Sequence, residues 1–149
     1  MPNWCRNRLQ IFGPTEDLQR FKQQAPGHNP WLTEEERRKQ EPEPLNFHNF
    51  VPVPPEVLAA GYNDTGYHWE LKHWGCRWGA CHGMLLDEYD DQLIYEFDTA
   101  WEEPMEFLEN VGLLWPSLTF VLDYEELGDA FKGLAKVHGE ERVNHCLQL

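Results

Sequence analysis

Five residues in one stretch carry metal-ligand chemistry: His68, His73, Cys76, Cys81 and His82, imidazoles and thiols of the kind that hold zinc. Their spacing argues against a site, because no C-x2-C pair is present and structural sites present ligands as two tight pairs separated by a longer loop. The expectation is no metal and no cofactor, with these groups serving as buried cysteines and surface histidines. Nucleophilic catalysis would need a cysteine beside a base and an oriented third group, and no local signature selects one. No catalytic residue is assigned, so a non-catalytic protein is expected. The same stretch holds Trp69, Trp74 and Trp78, flat surfaces on which a ligand or base can stack, with His68, His73 and Arg77 placed to hold an anion at a rim. A long segment folding back over a sheet must also bury apolar surface, and core packing is the expected use of those indoles.

Charge supplies the second kind of chemistry. Twenty-six acids stand against twelve Lys and Arg, a formal net charge of −14. The excess is localised, because between Arg77 and Lys132 there is no Lys or Arg and there are fourteen acids. Asp87, Glu88, Asp90 and Asp91 lead that segment, and Glu102, Glu103, Glu106 and Glu109 are among those that follow; outside it twelve acids balance twelve bases. Direct nucleic-acid binding is disfavoured, since it needs clustered cations to replace counterions along the phosphates. A basic protein surface is the partner such a face fits. Asp87-Glu88-Tyr89-Asp90-Asp91 lacks the glycine and spacing of a calcium loop and reads as a solvated acidic turn.

The elements that must position these groups follow from periodicity. Trp4 to Gly13 alternates, with Cys5, Asn7, Leu9 and Ile11 on one face, so a half-buried strand is expected. Gly13-Pro14 ends it, Thr15 is a candidate N-cap, and Leu18, Phe21 and Ala25 follow at helical spacing. Residues 26–44 read as loop, with a surface helical turn at Glu34 to Lys39. Leu45, Phe47 and Phe50-Val51 are expected as a short strand closed by Pro52, Pro54 and Pro55. Residues 52–90 are read as a long insertion, with a helical stretch around Glu70 to Lys72 stopped by Gly75 and an irregular turn from Arg77 to Cys81. Leu93, Tyr95, Phe97, Thr99 and Trp101 alternate as a third strand. Pro104 opens a helix that buries Phe107, Leu108, Val111, Leu114 and Trp115 and turns Glu102, Glu106 and Glu109 to solvent. Leu118 to Tyr124 is another strand, and residues 130–147 form a terminal hairpin turning at His138-Gly139.

Strand, helix, strand, insertion, strand, helix, strand and hairpin make one α+β domain over residues 1–149, a split βαβ antiparallel sheet with helices on one face. Its first and third strands are neighbours, which aligns Arg6 and Arg8 with Glu96 and Asp98. No stretch reaches the ~18 apolar residues of a membrane helix, the start lacks the apolar core of a signal peptide, and the four cysteines are widely spaced. A cytoplasmic protein with reduced thiols and no membrane contact is expected.

Met1-Pro2-Asn3-Trp4-Cys5-Arg6-Asn7, Val51-Pro52-Val53-Pro54, Trp74-Gly75-Cys76-Arg77-Trp78, Thr99-Ala100-Trp101 with Pro104, and Tyr124-Glu125-Glu126 with Gly128 and Phe131-Lys132-Gly133 resemble the YubB/Api92-like proteins. These DUF1281-type domains belong to plasmids, phages and bacteria. The resemblance implies a ferredoxin-like domain and a mobile-element setting, and it carries no activity and no catalytic residues. Cys76 departs from the family pattern, in which Thr is usual, and this weakens it as an essential ligand or nucleophile. The functional expectation is an acidic accessory protein of a mobile element that binds a basic surface of a host protein. One form of it is a counter-defence inhibitor imitating nucleic acid in a nucleic-acid-binding channel. The alternative is a small-ligand domain or enzyme using the Trp and His residues of segment 62–83.

Overall fold

The computed structural model describes residues 1–149. A six-stranded antiparallel sheet runs through it: β1 (Trp4–Phe12), β2 (Arg77–Tyr89), β3 (Gln92–Ala100), β4 (Thr119–Glu126), β5 (Phe131–His138) and β6 (Glu141–Gln148), in the spatial order β2-β3-β1-β4-β5-β6. The helices are α1 (Thr15–Gln24), α2 (Glu34–Lys39), α3 (Pro55–Ala60), α4 (Tyr67–His73) and α5 (Met105–Leu114). The first four strands, with α1 and α5 as the two crossovers, form the split βαβ arrangement, and the β5–β6 hairpin extends it past β4.

Alternation sets the register. Cys5, Leu9 and Ile11 of β1, Leu93, Tyr95 and Phe97 of β3, and Phe120, Leu122 and Tyr124 of β4 turn the same way and are buried. Slipping any of these strands by one residue would turn its whole apolar set out to water. Leu18 and Phe21 of α1 and Phe107, Leu108 and Val111 of α5 close over that face, so the five core residues Leu9, Phe97, Phe120, Leu108 and Val111 share one cluster. The other face is open. There Arg8 lies opposite Glu96 and binds it at 2.5 Å. Arg6 lies opposite Asp98 but does not pair with it; His82 Nδ1 takes that carboxylate at 3.0 Å.

Several expectations are corrected. Residues 45–51 are not a strand: Phe47–Asn49 is a turn of 3₁₀ helix capped by the Asn46 side chain, and Phe47 and Phe50 pack inward against Phe107 and Phe21. The second strand is β2, inside the segment read as insertion over 52–90, and Arg77 to Cys81 is its irregular beginning. The inserted chain therefore spans 25–76, between α1 and β2, with β2 and β3 joined as a hairpin. Alternation fails in β2 because its register shifts three times, so inward and outward residues lose their period. Thr15 begins α1 without capping it; Pro14 holds the cap position, and Thr15 Oγ1 donates to the Asp90 carbonyl at 2.7 Å. Leu114, expected inside, is exposed at the end of α5. Glu34 to Lys39 does form a short surface helix, α2, secured by a capping box between Thr33 and Glu36.

Candidate functional site

The inserted chain is organised around a carboxylate. Glu70 on α4 is fully buried and accepts hydrogen bonds from Trp31 Nε1 at 2.9 Å and the Trp78 backbone N–H at 2.8 Å. Burial pushes its carboxyl above the usual range, and these donors oppose that shift. Trp74 follows α4, is 1% exposed, donates its indole N–H to the Val51 carbonyl at 3.0 Å and meets Phe47 and Trp69 edge to face. It is a core residue with no open face for stacking.

The expected aromatic pocket is thus dispersed. Trp69 is half-buried and stacks on His73, whose Nδ1 bonds the Trp69 carbonyl at 2.9 Å, while His68 is exposed beside Tyr67. Trp78 belongs to a different cluster: it lies 6.4 Å from Trp4 and 5.6 Å from Trp101, and Trp4 in turn meets His82 at 4.8 Å. Trp78 and Trp101 both adopt left-handed backbone, with φ of 69° and 64°, a conformation bulky residues hold only where surrounding structure imposes it. Arg77 lies between the Tyr67 ring at 4.2 Å and the Trp101 ring at 4.8 Å, and donates to the Tyr67 hydroxyl at 2.5 Å. With Leu71, Ala100 and Glu102 these residues line a recess of about 280 Å³. Cys76 is buried and Cys81 half-buried, and no three His, Cys, Asp or Glu side chains converge as ligands.

The acidic residues fall into two groups at opposite ends of β3. Asp87 and Glu88 at the end of β2 and Asp90 and Asp91 in the β2–β3 turn form one group, whereas Glu102, Glu103, Glu106 and Glu109 lie at the start of α5 and along it. Nine residues of strand separate them by roughly 25–30 Å, at about 3.3 Å per residue, so they do not form one continuous face. Glu88 is occupied by Lys22 at 2.7 Å and Gln19 at 2.8 Å, and Glu109 by Arg142 at 3.2 Å. Glu102, Glu103 and Glu106 have no cation within ion-pair distance. Burial raises the carboxyls of Glu103 and Glu106, and repulsion from neighbouring glutamates raises both further.

Buried polar contacts hold this corner in place. Asn7 Nδ2 donates to Thr99 Oγ1 at 3.0 Å, and Thr99 Oγ1 donates to the Glu102 carbonyl at 2.6 Å, fixing the turn out of β3. The Phe107 N–H at the start of α5 donates to the Trp74 carbonyl at 3.1 Å, and Asn110 Nδ2 to the His73 carbonyl at 3.0 Å. Gly75, at φ +81°, lies directly under the Glu106 carboxylate, where a β-carbon would collide with it. Sequence reasoning missed Glu70, Trp31, Tyr67, Trp4 and Trp101 as members of these clusters. The one available signal was a glutamate flanked by Trp69 and Trp74 in an aromatic run.

Order and register define a class, the α+β proteins with a ferredoxin-like sheet. The structure of protein api92 from Yersinia pseudotuberculosis is similar over 100% of this chain and 98% of that one, with a TM-score of 0.77 and 10% identity, a likeness of fold alone. The family model described as "Ferredoxin-like domain in Api92-like protein" (DUF1281_C) matches residues 74–148, and the chain belongs to that family. No curated protein matches it. No helix is long and apolar enough to cross a membrane.

Proposed function

We propose that this chain is a non-catalytic binding protein whose acidic corner, formed by Glu102, Glu103 and Glu106, receives a basic surface of a protein partner. The observation that supports it is the crowding of three carboxylates, that of Glu103 half-buried, with no cation of the chain within ion-pair distance. Like charges held together raise the free energy of the unbound protein, and a partner's Lys or Arg side chains relieve that repulsion. The Asp87 to Asp91 turn adds long-range attraction without sharing the contact. A counter-defence role, in a mobile-element setting, is the form of this reading in which the basic surface is a nucleic-acid channel of a host protein.

The test uses a partner captured from host lysate at low salt and then purified. Its association rate should fall steeply as the Debye length drops below ~10 Å near 0.1 M salt. Changing Glu102, Glu103 and Glu106 together to Gln should slow capture, while Glu109→Gln, which removes a carboxylate already held by Arg142, should have little effect. An association rate indifferent to salt and to the triple change would leave the corner as a solubility feature. A second reading rests on Arg77, which has rings on both faces and no carboxylate within ion-pair distance, so a small planar anion fits its recess. Loss of a bound anion on Arg77→Ala, with the glutamates intact, would favour it.

A further inference from the structure

The two edges of the sheet are built differently. β2 shifts register three times and ends in an acidic turn, devices that keep an edge from pairing with another chain. β6 lacks the shifts: it pairs with β5 in one unbroken register from Phe131↔Gln148 to His138↔Glu141, contains no proline, and is exposed throughout. Its hairpin closes through Gly139 at φ +58°, and the Leu149 N–H reaches the Ala130 carbonyl at 2.7 Å. In that parity Glu141, Val143, His145 and Leu147 bond inward to β5, while Arg142, Asn144, Cys146 and Gln148 offer their backbone groups outward. On the open face of the sheet Leu134, Val143 and Leu147 are 53%, 51% and 66% exposed, apolar side chains set among Lys132, Lys136 and His145 beside this unpaired edge.

We propose that β6 pairs with β6 of a second copy, about a twofold axis at His145, joining two sheets into one. In that register the outward residues match as hydrogen-bonded pairs, Arg142 with Gln148 and Asn144 with Cys146 of the second copy. Val143 then covers Leu147 of the second copy on the open face, and the reverse contact repeats by symmetry. Charge favours this edge over other surfaces for self-association. Residues 131–149 carry Lys132, Lys136 and Arg142 against Glu140 and Glu141, while the whole chain stands at −14, so this hairpin itself adds little to the repulsion between two acidic copies. Arg142, which binds Glu109 at 3.2 Å, and Asn144, beside Glu103, lie next to the α5 corner, whereas Val143 and Leu147 are on the other face of the sheet, so changes at Val143 and Leu147 test this inference apart from the partner proposed above.

Sedimentation velocity of the full chain, from micromolar to millimolar concentration, provides the test. A dimer is expected whose fraction rises with salt, as screening weakens the repulsion between acidic copies. Val143→Lys with Leu147→Lys places like charges opposite each other and should give a monomer with an unchanged circular dichroism spectrum, both side chains being exposed. Val143→Lys with Leu147→Glu makes each lysine face a glutamate of the second copy and should restore the dimer. A wild-type monomer throughout the range overturns the inference. So does a dimer indifferent to the double lysine change, or one that the lysine–glutamate pair fails to restore.

Discussion

Trp74→Ala separates the two uses of the indoles most sharply. The side chain is 1% exposed, in edge contact with Phe47 and Trp69, and its indole N–H satisfies the Val51 carbonyl at 3.0 Å. Truncating a large aromatic in a core costs about 3–5 kcal/mol. Loss of the hydrogen bond lies within that figure, at roughly 1 kcal/mol. Against a typical total of about 5–15 kcal/mol, the variant loses a large part of its stability. At roughly 2–4 °C per kcal/mol for a chain of this size, Tm should fall by about 10 °C. Urea unfolding followed by far-ultraviolet circular dichroism measures this directly, and Trp74→Phe, which keeps a ring against Phe47 and loses only the N–H, should cost markedly less. A Trp74→Ala protein within about 1 kcal/mol of wild type would refute the packing argument, since no truncation in a closed core is that cheap.

Glu70→Gln should destabilise by about 1–3 kcal/mol, because an amide NH₂ would face either the Trp31 or the Trp78 N–H and leave it unpaired; equal urea midpoints would contradict this. Glu103 and Glu106 bind protons more tightly folded than unfolded, so the stability they contribute is full below the ordinary value of 4.5 and is lost as pH rises through their raised folded values. Replacing both with Gln should therefore raise Tm at pH 7 and change it little near pH 4, which scanning calorimetry at the two pH values decides. Burial pushes the Cys5 and Cys81 thiols up to about 12 and raises that of Cys76, while Cys146 is exposed. A thiol reagent at pH 8 should label Cys146 rapidly and the other three only on unfolding; fast labelling of Cys76 in the native protein would count against its placement in the core.

How much could be read from residues alone tracks how regular each element is. β1, β3, β4 and the β5–β6 hairpin have one buried and one solvated face, or a clear turn, and their alternation announces them. β2 does not: Gly79 and Gly83 break its pattern, its shifts send neighbouring residues to unrelated surroundings, and Trp78 and His82 take left-handed backbone. Leu45, Phe47 and Phe50 imitate a strand because all are buried, yet a 3₁₀ turn between helices buries them equally well. The acidic segment illustrates a different limit. Fourteen carboxylates adjacent in sequence are divided in space by the straight run of β3, and pairing with Lys22 and Arg142 occupies two of the eight candidates. Proximity along a chain says little about proximity on a surface when an extended strand intervenes.

The central place of β1 governs how the molecule is made. The earliest strand synthesised finds its two neighbours in β3 and β4, so its backbone groups wait until residue 126 before both edges are covered. The whole inserted segment, residues 25–76, and Trp78, whose N–H Glu70 accepts, are made in the meantime. Such long-range closure slows folding and exposes an apolar ribbon to neighbours on the way. The matched segment, residues 74–148, has β3 and β4 but not the strand that joins them, so released alone it would carry a split down the middle of its sheet. Supplied in trans, a peptide of residues 1–13 would be the natural means of closing it.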